Sequence, residues 1–320
     1  MQADAYYTAA KDANLQIAPL LLYYGSTNLL YGMINLLSGK INKIENHGMN
    51  IIVPDKPEFI ADVGLKFLSP QTGGVHVIAR ALNFDINLTA LGEWKLRDFL
   101  DSIAEISQDY VQCYEVETSC IVMLDVFNTP DGKVEKVYYS RENRQSIIDL
   151  MNNIPGFAKA YLPIRSVNLP EKGTEYFILR HKLNGTDISD LSYSGQPYLR
   201  AGHKKNGQVV TLPTILNMYV SLFILASLCR YYPERWSPFV LNDTTGEKLL
   251  IEKFLYYARR MIPNIVLNEL EGECVKYTSN RYEETDTIKL VGEHQVQEMV
   301  EKIVRLQSEK RHIVKNALSE

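Results

Sequence analysis

The sequence has few of the features by which metal-binding and catalytic proteins are recognised. It has only four cysteines in 320 residues, and they form no C-x-x-C pair, which argues against a disulfide framework or a structural zinc site. The six histidines are scattered, without an H-x-x-x-H pair. A Walker loop, a G-x-G-x-x-G turn and a serine nucleophile elbow are all missing. We therefore expect no metal, no cofactor and none of the enzyme classes that carry these fingerprints.

An excess of one charge and a membrane-length apolar run are also missing. The net charge of -4 argues against a dedicated nucleic-acid coat or a polybasic membrane binder. The most apolar run, residues 215–229, is shorter than the roughly 20 residues that a bilayer span needs. The first residues lack the basic and then apolar order of a signal peptide. These features predict a cytoplasmic protein with reduced thiols and no membrane partner.

Strong helical periodicity begins and ends the chain. Apolar residues recur at helical spacing from about residue 14 to 37, with Pro19 near the start and Gly39 suited to the end. Helical patterns return after Pro213 and continue through the last residues. We expect the helices at 17–37 and 215–230 to pack on each other in one core, with the thiol of Cys229 buried and inert.

The middle of the chain is rich in strand patterns. Two strands are predicted around the glycines of residues 61–82, two around Pro130-Asp131-Gly132, and a third pair around residues 203–207. One amphipathic helix is predicted across residues 91–114 and a shorter one across 141–157. The fold class expected is therefore mainly helical α+β, in a single compact unit over 1–320. Its expected parts are an N-terminal helical part (1–57), a strand-rich insert (58–212) and a C-terminal helical part (213–320).

The first candidate site combines Tyr23, Tyr24, Asn46 and His47. The tyrosines lie in the N-terminal helix, and the histidine follows in an Asn-His-Gly turn. A histidine there is typically a turn residue with one backbone hydrogen bond. The functional alternative is that the imidazole points back to Tyr23 or Tyr24, as an acid/base group or an anion ligand.

The second candidate group is the stretch RYYPERW, which contains Arg230, Arg235 and Trp236. An arginine at the end of an apolar helix typically stabilises the last carbonyls. Guanidinium groups beside aromatic rings also suit a planar anion, a nucleotide base or a phosphate. We include all three residues in a candidate ligand site with the first group.

The segments APLLLYYGSTNLLYGMINLL, NHGM and YVSLFILASLCRYYPERW resemble the YaaC-like family of bacterial proteins over nearly the whole chain. Members of that family have no assigned activity, so the resemblance implies none. The YY helix followed by a His-Gly turn is also similar to helical HEPN domains. Many of these are metal-independent RNases with an arginine and a histidine in a late helix, a pair that would here be Arg305 and His312. Leu306 departs from the polar residue of the active pattern, which puts catalysis through this pair in doubt.

Two functions fit the sequence. The first is a binding or regulatory module that acts through protein partners or self-association. The second is a metal-independent nuclease or nucleotide-binding enzyme, whose partner is a nucleotide or RNA. Geometry separates them, because a shared site of Tyr24, His47 and Arg230 favours the second function, and dispersal of these groups favours the first.

Overall fold

A computed structural model describes residues 2–42, 44–55, 57–69, 72–129, 132–169, 174–182 and 185–272. The chain divides into two compact units, residues 1–277 and 278–320, and all described residues belong to the first. The expected mainly helical α+β class is confirmed. The final predicted helix, with Arg305 and His312, lies outside the described residues. The expected single unit over 1–320 and its three parts therefore stay predictions.

The long helices come from the two ends of the described chain, and shorter ones lie between them. In chain order they are α1 (Gln2–Lys11), α2 (Ala18–Ser38), α3 (Gly74–Ala81), α4 (Leu96–Leu100), α5 (Ser107–Tyr114), α6 (Arg144–Asn152), α7 (Phe157–Ala160), α8 (Thr214–Tyr231), α9 (Pro233–Asn242) and α10 (Glu247–Glu271). Short 3-10 turns lie at Ile60–Asp62, Leu88–Leu91 and Ala104–Ile106.

The strands form small antiparallel sheets. They are β1 (Met49–Ile52), β2 (Gly64–Phe67), β3 (Glu93–Lys95), β4 (Ile121–Met123), β5 (Asp125–Thr129), β6 (Gly132–Tyr139), β7 (Arg165–Leu169), β8 (Thr174–Arg180), β9 (Asp190–Leu191), β10 (Pro197–Arg200), β11 (His203–Lys205) and β12 (Gln208–Val210). The sheet orders are β1-β2-β3, β4-β10-β9, β5-β6-β8-β7 and β11-β12. The predicted hairpins at β5-β6 and β11-β12 are confirmed.

Helices α2 and α8 pack directly on each other, as predicted. Pro19 lies in the first turn of α2, and Gly39 ends the helix with a left-handed φ of 67°, a conformation that glycine adopts without strain. Every residue of α8 from 215 to 228 is buried. The contact of the two helices buries much of the main core, which also includes Trp94, Trp236 and Phe254.

Helix α8 is, within the described chain, the one helix long and apolar enough to cross a membrane, and 78% of its apolar window is buried inside the protein. A helix that is apolar on all sides needs such complete burial. The expectation of a core helix is therefore confirmed. Cys229 near its end is only partly buried, so the expected burial of this residue is wrong. Its Sγ donates to the carbonyl of Gln16, which precedes α2, at 2.8 Å.

A second, smaller core lies in the strand-rich middle. Val137 and Phe177 on the β5-β6-β8-β7 sheet belong to it, together with Ile147 and Met151 of α6. Residues 60–114 instead contribute to the main core with the long helices. Residues 60–114, the first part of the strand-rich segment, thus pack with the long helices α2, α8 and α10.

Residues 74–81 form helix α3, so the second strand expected around the glycines of 61–82 is wrong. Val75, Ile78 and Ala79 are buried at spacings that place them on one helix face. The first helical N–H groups of Gly74 and Val75 donate to the carbonyls of Asn46 and His47. Tertiary hydrogen bonds and this face override the strand propensity of the β-branched residues.

Residues 91–114 are interrupted, so the single amphipathic helix expected there is also wrong. Trp94 is fully buried and pairs with Leu65 in the sheet, which holds its backbone extended. Asp98 caps α4 by accepting the backbone N–H of Lys95 at 2.8 Å. The chain then turns at Asp101 before α5 begins. This break places Asp101 at the surface of the main core.

Candidate functional site

Tyr23 and Tyr24 are adjacent on α2, so their side chains diverge by about 100° around the helix. Tyr23 is buried, with 4% of its surface exposed, and its ring stacks on Tyr219 of α8. Tyr24 is half-buried and contacts Tyr6 of α1 at a centroid distance of 5.7 Å. One tyrosine therefore faces the core, and its neighbour lines the rim of the helix pair.

His47 returns to this helix pair, as the functional alternative expected. Its Nδ1 lies 2.6 Å from the hydroxyl of Tyr23, and its ring lies 5.6 Å from the Phe223 ring. The residue as a whole is exposed, but Tyr23 and Phe223 enclose its Nδ1 side. The imidazole thus has one anchored edge and one edge open to solvent.

The turn of Asn46-His47-Gly48 is held from both sides. The Asn46 side-chain oxygen accepts the backbone N–H of Gly48 at 2.9 Å, and the N-terminus of α3 donates to the turn's carbonyls. Gly48 has a φ of +74°, and a Cβ there would lie 3.1 Å from the Cα of Gly73. Only glycine fits that backbone and that close approach. Asn46 is therefore a positioning residue for His47.

Arg230 reaches the same place from the last turn of α8. Its Nη1 donates to the Tyr24 hydroxyl, and its guanidinium lies 5.0 Å from the centre of the Tyr231 ring. The side chain is exposed. The structure thus brings together Tyr23, Tyr24, His47 and Arg230, which we call the tyrosine–histidine–arginine cluster.

The electrostatics of the cluster keep His47 neutral near pH 7. Burial of its enclosed side, and then the positive charge of Arg230, lower the pKa of His47 below its usual 6.5. Burial raises the pKa of Tyr23 far above its ordinary range, so its phenol keeps the proton. The Tyr23 O–H can donate to the unprotonated Nδ1 of a neutral imidazole, and in that tautomer the imidazole proton lies on Nε2. In this tautomer His47 presents an N–H donor to solvent.

Two residues of the expected site do not join this cluster. Trp236 is 1% exposed and donates its Nε1–H to the carbonyl of Gln16 at 3.2 Å. Its assignment to a ligand site is corrected, because no ring face is open to a ligand. Arg235 donates to the carbonyl of Asp55 and lines a separate cleft of about 320 Å³. It tethers α9 to the loop after β1.

Sequence reasoning missed a larger cleft of about 950 Å³ that contains Arg200. This arginine is 9% exposed and donates to Asp190, the Tyr198 and Thr214 hydroxyls and the Leu212 carbonyl. Its guanidinium is therefore used mainly to join β9, β10 and the start of α8. A lone arginine in the apolar strand Pro197–Arg200 was the available signal.

A second missed cluster combines Asp101, Cys120 and His203. Their ligand atoms all lie within 4.8 Å of one another. No local motif could reveal them, because they come from three separate segments of the chain.

The fold and the first cluster define a mainly helical α+β protein with a tyrosine–histidine–arginine site at the end of its central helix pair. The chain belongs to the YaaC-like protein family, whose sequence model matches residues 1–270. No curated protein and no solved structure matches the chain. The weaker likeness to HEPN domains stays a prediction.

Proposed function

We propose that this protein is a cytoplasmic ligand-binding module that binds the phosphate of a nucleotide or a short RNA at the tyrosine–histidine–arginine cluster. One observation carries the proposal. The two hydrogen-bonded pairs, Tyr23 with His47 and Tyr24 with Arg230, adjoin through the Tyr23–Tyr24 ring contact at 5.7 Å. Four of the seven residues that the sequence suggested therefore adjoin one another.

The donors of the cluster suit phosphate oxygens. A guanidinium has five N–H groups. Among the described residues, Nη1 of Arg230 donates to the hydroxyl of Tyr24. The remaining donors of Arg230 and the Nε2–H of His47 supply charged and neutral hydrogen bonds to an anion. The ring of Tyr231, 62% exposed, offers a face on which a base can stack.

The same geometry favours binding over cleavage. A general base needs an unprotonated nitrogen within reach of the nucleophile. In the tautomer that accepts the Tyr23 O–H at Nδ1, the solvent-facing Nε2 of His47 carries the proton. His47 consequently acts as a donor to the ligand. This combines the two functions expected from sequence, a regulatory binding module and a nucleotide-binding site.

Thermal unfolding with a panel of nucleotides and short RNAs tests the proposal. A ligand that binds only the folded protein raises its melting temperature in proportion to occupancy. We expect Arg230→Ala to abolish this rise with little change in the unliganded protein. Arg141→Ala is the matched control, since that arginine is also exposed, with 87% of its side chain accessible. No ligand-dependent rise in wild type would overturn the proposal.

Self-association or a protein partner is the second candidate. Large apolar side chains are exposed on the C-terminal helices of the described chain: Leu241 by 73%, Leu249 by 57% and Tyr256 by 48%. Leu249 and Tyr256 are seven residues apart on α10 and share one face. Sedimentation across a concentration series should then detect an oligomer in wild type that Leu249→Lys weakens. A monomer at all concentrations would contradict self-association.

A further inference from the structure

Three chemically different side chains converge where the predicted long helix breaks. Asp101 follows α4, Cys120 precedes β4, and His203 begins β11. The Asp101 Oδ1 lies 3.0 Å from His203 Nε2, and the Cys120 Sγ lies 3.3 Å from Asp101 Oδ2. The Sγ and Nε2 atoms are 3.7 Å apart. A carboxylate, a thiol and an imidazole therefore surround one point.

Two of these three separations match those of a metal site, and the Asp101–His203 separation is shorter. Zinc binds such ligands at about 2.0–2.3 Å in a tetrahedron, which places ligand atoms roughly 3.3–3.8 Å from one another. The three distances between the side chains are 3.0, 3.3 and 3.7 Å. A small tetrahedral cation thus needs only slight adjustment of the ligands.

The contacts do not form a catalytic relay. In a cysteine–histidine–aspartate relay the acid contacts one ring nitrogen and the thiol the other. Here both Asp101 and Cys120 approach the same nitrogen, Nε2 of His203. Groups that share one cation must present their ligand atoms to a single point, as these three do.

The backbone around the cluster is held by several elements. The N–H of Ala201 donates to the Cys120 carbonyl at 2.9 Å, next to the pairing of β4 with β10. His203 pairs with Val210 in its hairpin, and its ring contacts the edge of buried Trp94 at 5.5 Å. Because paired strands hold His203 and the backbone beside Cys120, these two ligands keep their positions without a metal.

A fourth position is available from a neighbouring group. Ser102 follows Asp101 in the chain, and its hydroxyl lies 3.0 Å from Nε2 of His203. Three protein ligands with a water or hydroxyl in the fourth place is the usual arrangement of an open zinc site.

We propose that Asp101, Cys120 and His203 bind one Zn²⁺ ion, with a water molecule or Ser102 in the fourth position. On binding, the S–H bond of Cys120 breaks, its proton passes to solvent, and the thiolate forms the Zn–S bond. The proton that Nε2 of His203 donates to Asp101 also passes to solvent, and the remaining imidazole proton is carried on Nδ1. His203 binds as neutral imidazole through Nε2 and Asp101 as carboxylate. Thiolate ligation selects a soft cation such as Zn²⁺ over Mg²⁺ or Ca²⁺.

Metal titration of the full chain, after dialysis against a chelator, tests this site. We expect one Zn²⁺ per chain in competition with a chromophoric chelator. Co²⁺ in its place should give thiolate charge-transfer absorption in the near ultraviolet and intense visible bands. Cys120→Ser should remove the charge-transfer band. His203→Gln removes a direct ligand, so it should weaken metal binding by at least about 100-fold, which is the largest loss typical of an outer-shell partner. Cys113→Ser is the matched control, because this half-buried free thiol lies on α5 outside the cluster.

Thiol labelling of the wild type gives an answer even if a variant fails to fold. Zn²⁺ should slow the alkylation of Cys120, followed by peptide mass spectrometry, and leave Cys113 and Cys229 unchanged. Equal rates at Cys120 with and without Zn²⁺ would overturn the proposal. Co²⁺ binding without a thiolate band in wild type would overturn it as well.

Discussion

His47 and His203 are the same side chain in opposite electrostatic surroundings. His47 lies beside the cation Arg230, and burial with this charge lowers its pKa. At His203 burial, the largest single influence, lowers the pKa, but the charge and hydrogen bond of Asp101 together with the charge of Asp98 outweigh it, so the pKa is raised. The first histidine offers a donor to an anion, and the second lies among groups that attract a cation.

The difference follows from what the fold places around each ring. Aromatic rings and a phenol that keeps its proton surround His47, so the nearest charge is positive. The turn after α4 and the thiol before β4 surround His203 with acidic and soft ligand atoms. A histidine's chemistry is thus decided by its neighbours in space, since its own pKa lies close to neutrality.

Zinc should give the largest effect that separates the two clusters. At a free Zn²⁺ concentration about 1,000 times the Kd, the folded protein gains about 4 kcal/mol of stability. We expect this gain in chemical denaturation of wild type, and its loss in Cys120→Ser. A His47→Gln variant should keep the full gain, and its loss there would remove the distinction between the clusters.

Gly48→Ala should disturb the His47 cluster alone. The positive φ and the contact with Gly73 predict a loss of about 1–3 kcal/mol in the free energy of unfolding. Gly39→Ala is a matched control, because its φ is +67° and nothing lies within 4 Å of the added Cβ. Equal losses in the two variants would show that the Gly48–Gly73 contact has no separate energetic role.

The two histidines should titrate in opposite directions from 6.5 in metal-free protein. Because the pKa of His47 is lowered by folding, its contribution to stability is present above pH 6.5 and is lost as the pH falls through the folded pKa. Because the pKa of His203 is raised, its contribution is present below pH 6.5 and is lost as the pH rises through the folded pKa.

NMR titration of the ring protons checks this, with His47→Gln and His203→Gln used for assignment. Arg230→Ala should move the pKa of His47 upward and leave that of His203 in place. The same pKa for both rings would contradict the opposite shifts expected for His47 and His203.

The smallest effect is expected from Arg230→Ala on the unliganded protein. An exposed charge at a helix end contributes about 0.3–1 kcal/mol, which denaturant unfolding can measure against Arg141→Ala. A loss several times larger would mean that Arg230 stabilises the helix pair itself, and would weaken its assignment to a ligand.

The long helices and the tight hairpins could be predicted from the sequence. Apolar residues of α2 recur at helical spacing between Pro19 and Gly39, and α8 is a largely apolar run between Pro213 and Pro233. Pro130-Asp131-Gly132 suits a hairpin turn. It also singled out Tyr23, Tyr24, His47 and Arg230, because polar groups at the ends of apolar helices stand out in a pattern. These features are local, and local geometry is readable from spacing and turn chemistry.

Which of these groups adjoin, and which segments depart from their secondary-structure propensity, depends on the packing of the whole chain. Residues 74–81 became a helix because their N–H groups bond to the turn of Asn46 and His47. Trp236 does not belong to the candidate site because its side chain is buried in the core.

The three residues of the proposed metal site are far apart in the sequence. Asp101 and Cys120 are 19 residues apart, and Cys120 and His203 are 83 apart. Their meeting depends on strand pairing and on a helix break, which no short spacing encodes, because contacts between distant segments form only when the whole core is packed.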